Sequence, residues 1–298
     1  MPEPRSDQKL FCFGLGFSGT RLALTLKAAG WRVAGTCREP ARHARLVEQG
    51  IEAHLFDRDR RLAAPATILE GVTHLIDSVP PDGNGDLVLG CHAPDLAALD
   101  SIEWIGYLST TGIYGDHGGG WVDETTPPSP LTERARRRVA AEQVWQALGR
   151  ETGIAVQVFR LAGIYGPGRS ALDAVRAGTA RRIVKPGNLF SRIHVDDLAA
   201  VLAASMARPN AGAVYNVCDD MAAPGNEVTE YACQLLSVEP PPALLFEDAG
   251  LSPMAASFYA ESRRVRNARI KQELGVALKY PDYKSGLGAI AAAESPAP

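Results

Sequence analysis

The sequence predicts an α/β fold in which a doubly wound parallel sheet carries a smaller C-terminal substrate lobe. Two observations lead there. Short apolar runs alternate with helical stretches from Leu10 onward, the order that turns each helix into a crossover between parallel strands. The first of these runs, Leu10 to Phe13, breaks directly into Gly14, Gly16 and Gly19, a spacing suited to a dinucleotide pyrophosphate.

That glycine finger, which includes Phe17 and Ser18, has a physical reading at each position. Gly14 permits the tight turn, Gly16 lets backbone approach a phosphate, and Gly19 lets the next helix pack closely on its strand. A helix from Thr20 to Ala29 carries Leu22 and Leu26 one turn apart and stops at Gly30. Its start offers an anion free N–H groups and a partial positive charge. Trp31 to Cys37 reads as a second strand, Ala41 to Gln49 as a helix and Glu52 to Asp57 as a third strand. Thr73 to Val79 is a fourth strand ending in Pro80-Pro81-Asp82-Gly83, Leu96 to Leu99 lies in a helical stretch, and Ile102 to Leu108 is a fifth strand. Ala155 to Leu161 and Ala213 to Val217 are the sixth and seventh, separated by an insert and a helix over Val195 to Met206. From Asp219 strand signals thin out, and a helix over Val265 to Leu274 ends at Gly275. The expected division is a dinucleotide-binding (Rossmann) domain over 9–165, its sheet completed by 193–218. A substrate lobe then comprises 166–192 and 219–298.

Composition narrows the function classes. The 298 residues carry a net charge of -3, with 22% charged and 46% hydrophobic residues, an ordinary soluble profile that gives no reason to expect nucleic acid as a partner. Five cysteines, an odd number without CxxC spacing, argue against a disulfide framework or a zinc site and fit a reducing cytoplasm. The first residues lack the apolar core of a signal peptide, and no stretch offers the ~20 apolar residues of a membrane span. Six histidines are too scattered for a metal cluster, so no metal is expected.

The second strand bears on the choice of dinucleotide. NAD sites place a carboxylate at its end for the ribose hydroxyls, whereas a 2′-phosphate needs cations. Here the strand ends Gly35-Thr36-Cys37-Arg38, followed by Glu39, with Arg42 one turn on. Arg38 is therefore expected to meet the phosphate of NADP(H), in preference to NAD(H).

Further motifs extend the pattern: Asp57 after strand three, Leu108-Ser-Thr-Thr-Gly-Ile-Tyr-Gly115, and Glu124 with Pro127 and Pro128. Arg160-Leu-Ala-Gly-Ile-Tyr-Gly-Pro-Gly168, Arg192-Ile-His-Val-Asp-Asp197 and Tyr215-Asn-Val217 follow in order. Together these residues resemble the extended short-chain dehydrogenase/reductase family of sugar-nucleotide epimerases and dehydratases. The resemblance implies that Asp57 and the finger hold cofactor and that Thr110 orients a substrate hydroxyl. It also implies a tyrosine passing a proton beside a lysine four residues on, and homodimers through the helix containing Arg134 to Leu148. Counted back from Ala140-Ala-Glu142, those two positions are Arg134 and Arg138. A guanidinium stays protonated at ordinary pH and cannot accept tyrosine's proton. Arg138 keeps the capacity to bind a ribose or phosphate. Arg134 reads either as a cationic cleft wall for an anionic substrate or as part of a solvated basic face with Arg136 and Arg137.

Tyr114 is the leading substitute proton donor, with His117 of the Gly115 to Pro130 loop behind it, and Tyr165 is a substrate-side candidate. Thr111 and Gly112 replace the Asp-Glu pair of related sugar dehydratases, which weighs against dehydration. Arg263 to Lys271 reads as a solvated helix face, with contact to a phosphorylated ligand as the alternative, and Asp196 and Asp197 read as caps of the following helix. The expected activity is hydride transfer to a small polar carbonyl or from the corresponding alcohol, phosphorylated and nucleotide-linked ones included. The rival is a dinucleotide-binding sensor or regulatory module without turnover.

Overall fold

The computed structural model describes residues 8–294. Seven strands form the central sheet: β1 (Lys9–Phe13), β2 (Arg32–Cys37), β3 (Glu52–Leu55), β4 (His74–Asp77), β5 (Trp104–Thr110), β6 (Ala155–Leu161) and β7 (Val214–Val217). Their order is β7-β6-β5-β4-β1-β2-β3, every pair parallel. The sheet reverses direction of growth at β1, which puts a ligand crevice outside the carboxyl ends of β1 and β4. Every residue of β1 is buried, as befits a parallel strand covered on both faces. Lys9 is accommodated there because its Nζ donates to the Ile68 and Glu70 carbonyls at 3.0 and 3.1 Å.

Helices α1 (Phe17–Ala28), α2 (Pro40–Glu48), α3 (Pro65–Ile68), α4 (Leu87–Ala97) and α5 (Glu133–Thr152) make the crossovers. Later come α6 (Ala171–Arg176), α7 (Val195–Met206), α8 (Gly225–Leu235), α9 (Pro253–Tyr259), α10 (Ala268–Leu274) and α11 (Tyr283–Glu294). On one sheet face Leu22, Leu26, Val201 and Leu202 pack with Trp104 and Tyr215. On the other, Phe11, Phe13 and Tyr107 pack with Trp145 of α5. A separate cluster of Tyr165, Leu172, Val228, Tyr283 and Leu287 joins α6, α8 and α11.

Two sequence expectations need correction. The helix ending at Gly275, whose φ of +68° suits a glycine C-cap, begins at Ala268 because Arg264–Val265 instead pairs with Trp121–Val122. At α7 the cap is His194, whose side chain accepts from the Asp196 N–H at 3.2 Å. Asp196 pairs with Arg21, and Asp197 accepts the Lys279 and Tyr280 N–H groups at 2.7 and 2.9 Å, tying the C-terminal segment to α7.

Candidate functional site

The glycine finger turns between β1 and α1. Gly14 adopts φ +89°, and a Cβ there would lie 2.6 Å from Ser78 Oγ, which already donates to the Gly14 carbonyl. At Gly19 an added Cβ would meet Cys12 Sγ and the Gly14 carbonyl oxygen, both at 2.7 Å, so α1 rests directly on β1. Gly16 differs: nothing lies within 4 Å of its Cβ position, and it faces open space at the start of α1. Phe17 and Ser18 form the first turn of α1, which carries no acidic residue to repel an anion. This loop fits a dinucleotide, with Gly16 as the point where a phosphate can approach backbone.

The flanks of the finger are braced from within. Arg42 donates to the Leu15 carbonyl at 2.7 Å, the Gly16 carbonyl at 3.1 Å and Thr20 Oγ1 at 2.9 Å, so it secures the loop instead of standing free beside Arg38. Arg38 is exposed at the end of β2 and pairs with Glu39 at 3.0 Å. Asp57, just past β3, accepts from Arg60 at 2.6 Å, and that bond holds its carboxyl below the usual range. Arg60 also reaches the Arg38 carbonyl at 3.1 Å, drawing the two loops together.

A cleft of about 480 Å3 opens at the carboxyl ends of β5 and β6, with Thr110 in its wall. Thr110 Oγ1 accepts the Gly112 N–H at 3.0 Å, which leaves its proton available to a substrate oxygen. Four arginines line this cleft: Arg134, Arg169, Arg192 and Arg263. Arg263 is bound to Glu261 and to the Gly115 carbonyl, both at 2.7 Å. Among the described residues the other three form no ion pair. Arg134 lies 4.7 Å from the Phe258 ring and Arg169 5.4 Å from the Phe17 ring, while Arg192 donates to the Phe190 and Ala223 carbonyls. Arg134 is thus a cleft wall, whereas Arg136 and Arg137 pair with Glu133 on the helix surface.

The other expected residues fall elsewhere. Tyr114 is fully buried behind the cleft, where its hydroxyl donates to Asn216 Oδ1 at 2.7 Å and accepts from Arg160 at 3.0 Å. Burial raises its pKa, and Tyr114 does not line the cleft in which it was expected as a proton donor. Tyr165 lends its ring to the cleft, but its hydroxyl is packed against α11 and donates to the Asp282 carbonyl at 3.3 Å. His117 sits on the exposed loop, against the Tyr114 carbonyl. Arg138 turns inward to the Tyr107 hydroxyl at 3.1 Å and the Leu108 carbonyl at 2.8 Å, stitching α5 to β5.

Sequence reasoning missed the convergence of Arg169 and Arg192 with Arg134, and the carboxylate that joins them. Glu261 lines the cleft with Oε2 on Arg263, and its Oε1 has no hydrogen-bond partner among the described residues. The basic stretch after it divides: Arg263 enters the cleft, while Arg264 and Arg266 flank the exposed Trp121 ring at 5.8 and 4.9 Å.

Comparison with known proteins agrees with this geometry. Residues 14–218 match the NAD dependent epimerase/dehydratase family. Protein YeeZ of Escherichia coli (strain K12) is 30% identical over 285 residues, spanning 92% of this chain and 97% of that protein. A functionally unknown conserved protein from Silicibacter pomeroyi DSS superposes with a TM-score of 0.89 at 50% identity, over 96% of this chain and 98% of its own. The UDP-glucuronic acid 4-epimerase of Bacillus cereus, solved in complex with NAD, superposes with a TM-score of 0.77 at 15% identity, covering 96% of each chain.

Proposed function

The chain belongs to the NAD dependent epimerase/dehydratase family, and from that premise we propose that it is a nicotinamide-dependent oxidoreductase that takes NADP(H) and acts on a small anionic carbonyl or alcohol. The observation that carries this reading is the set of three arginines without carboxylate partners, Arg134, Arg169 and Arg192, around a cleft that also holds Thr110. Cationic groups left uncompensated at one hollow favour an anionic occupant, phosphorylated, nucleotide-linked or carboxylated.

The cofactor, when bound, supplies or accepts hydride. Gly14, Gly16, Phe17, Ser18 and Gly19 hold its phosphates, Asp57 serves as a further contact, and Arg38 takes the 2′-phosphate. Thr110 donates its hydroxyl proton to the reacting oxygen and so holds that oxygen in place. Arg134, at the position the family resemblance assigns to tyrosine, anchors substrate charge. The proton falls to Glu261, the carboxylate of the cleft wall, which Arg263 fixes through Oε2.

A sensor that binds dinucleotide without turnover is the second reading, favoured by the engaged hydroxyls of Tyr114 and Tyr165. One assay separates the two. The protein is mixed with NADPH and a panel of aldehydes, ketones, 2-oxo acids and nucleotide sugars, and oxidation is followed by absorbance. Oxidation that Glu261→Gln cuts by two orders of magnitude or so, with KM little changed, is the expected result. Tight NADPH binding with no oxidation of any compound means the sensor.

A further inference from the structure

Arg169 and Arg192 face a second hollow as well as the cleft. This chamber, about 340 Å3, lies where α6, α8 and α11 meet, and Tyr165 is part of the wall it shares with the cleft. Its deeper walls are Val228, Tyr283 and Leu287, apolar surfaces of the cluster that binds those helices together. Other polar groups at its rim are largely engaged. Ser170 and Asp173 close a capping box on each other's backbone N–H groups, and the Tyr165 hydroxyl is held by the Asp282 carbonyl. Free donors among the described residues therefore come from the two guanidinium groups, at the junction of chamber and cleft, and from the Tyr283 hydroxyl in the chamber wall.

We propose that the substrate is an amphipathic anion. Its charged group lies between Arg169 and Arg192, an apolar ring or short alkyl group fills the chamber, and the reacting carbon lies on the Thr110 side. This deepens the anionic-substrate reading above and rests on it. A nucleobase is a poorer occupant, because its edge brings several donors and acceptors to a chamber whose walls are mainly Ala171, Val228, Leu287 and the Tyr283 ring, with the Tyr283 hydroxyl and one Asp173 oxygen as unengaged side-chain partners. An apolar ring suits the same wall, since its transfer from water needs no polar partner.

Calorimetric titration of the full chain with inorganic phosphate, phenyl phosphate and uridine monophosphate tests this. Phenyl phosphate is expected to bind roughly tenfold tighter than inorganic phosphate, as burial of a small apolar ring gives. Arg192→Gln is expected to weaken both by a similar factor. Val228→Phe, which fills the chamber, should erase the phenyl advantage while leaving inorganic phosphate unchanged, and Ala171→Leu fills it from another wall if the first variant does not fold. Equal affinity for the two phosphates, a phenyl advantage that survives filling, or tighter binding of uridine monophosphate than of phenyl phosphate overturns the apolar chamber. If Arg192→Gln changes neither phosphate, the anionic-substrate reading itself falls.

Discussion

Gly16, at the cap of α1, and Gly19, in its first turn, stand three residues apart, yet a side chain would meet opposite surroundings at each. The Cβ direction of Gly16 is empty and its φ of -80° is open to any residue, so Gly16→Val should fold normally, with an unchanged melting curve. Dinucleotide affinity should nonetheless fall, because the isopropyl group occupies the approach to the loop. Gly19→Ala should do the reverse in the apo protein, destabilising it by about 1–3 kcal/mol through overpacking against Cys12. Arg38 offers a second test. Its pairing with exposed Glu39 is weak, since surface ion pairs contribute about 0–1 kcal/mol, and leaves the guanidinium free to turn to a phosphate. Arg38→Ala should weaken NADP(H) by about tenfold or more while changing NAD(H) little, measured by titrating both. An unchanged preference would remove the NADP assignment. Positions such as these are legible in the sequence because their neighbours are local. Tyr114 was not, since a tyrosine two residues past Gly112 reads the same whether it faces the cleft or Arg160 behind it.

Helix α5 shows how an element is fixed by a few buried polar contacts. Glu142 accepts from Arg160 of β6 at 2.9 Å and from Ser109 of β5, and Arg160 continues to Tyr114, which reaches Asn216 of β7. One ion pair thereby spans a helix and three strands just beneath Thr110. Removing one partner strands a buried charge, so Arg160→Met should cost about 3–5 kcal/mol in denaturant unfolding. The double variant Glu142→Leu, Arg160→Met should recover a large part of that loss, and strict additivity of the two single changes would show the pair to be uncoupled. The strands and long crossovers were readable because apolar runs and glycine stops are signals carried within each segment: Ala155–Leu161 and Val195–Met206 coincide with their expected bounds. The ladder of Trp121–Val122 with Arg264–Val265 was not, because two-residue strands have no period to detect and their pairing spans much of the chain. For the same reason the cleft arginines, drawn from α5, the segment before α6, the strand before α7 and the segment after α9, gave no common signature.

At the scale of the molecule, stability depends on groups held uncharged where sheet and C-terminal elements join. Asp219, at the exit of β7, donates its N–H to the Arg192 carbonyl at 2.6 Å, and burial pushes its carboxyl up to about 8. Burial likewise raises Asp77 well above the usual range, with Asp86 beside it acting in the same sense. His74 moves the other way, lowered by burial to about 4. The folded protein thus binds protons on Asp219 and Asp77 that the unfolded chain, titrating near 3.9, releases, so their contribution is whole in acid and declines as pH rises. His74 contributes in the opposite sense, adding stability from about pH 4 to its unfolded value near 6.5 and nothing further above it. Between about pH 4 and 6.5 the His74 term offsets one of the two carboxyl terms, and above that both carboxyl groups act without opposition. Melting temperature should therefore fall as pH rises from about 6.5 to 8, with Asp219 accounting for on the order of 2 kcal/mol at about 1.4 kcal/mol per unit. Asp219→Asn keeps a neutral group of the same shape in place. Its melting curve should match that of the wild type below about pH 4 and decline less steeply from there to about pH 8, and two parallel profiles would show that Asp219 ionises in the folded state as it does in the unfolded chain.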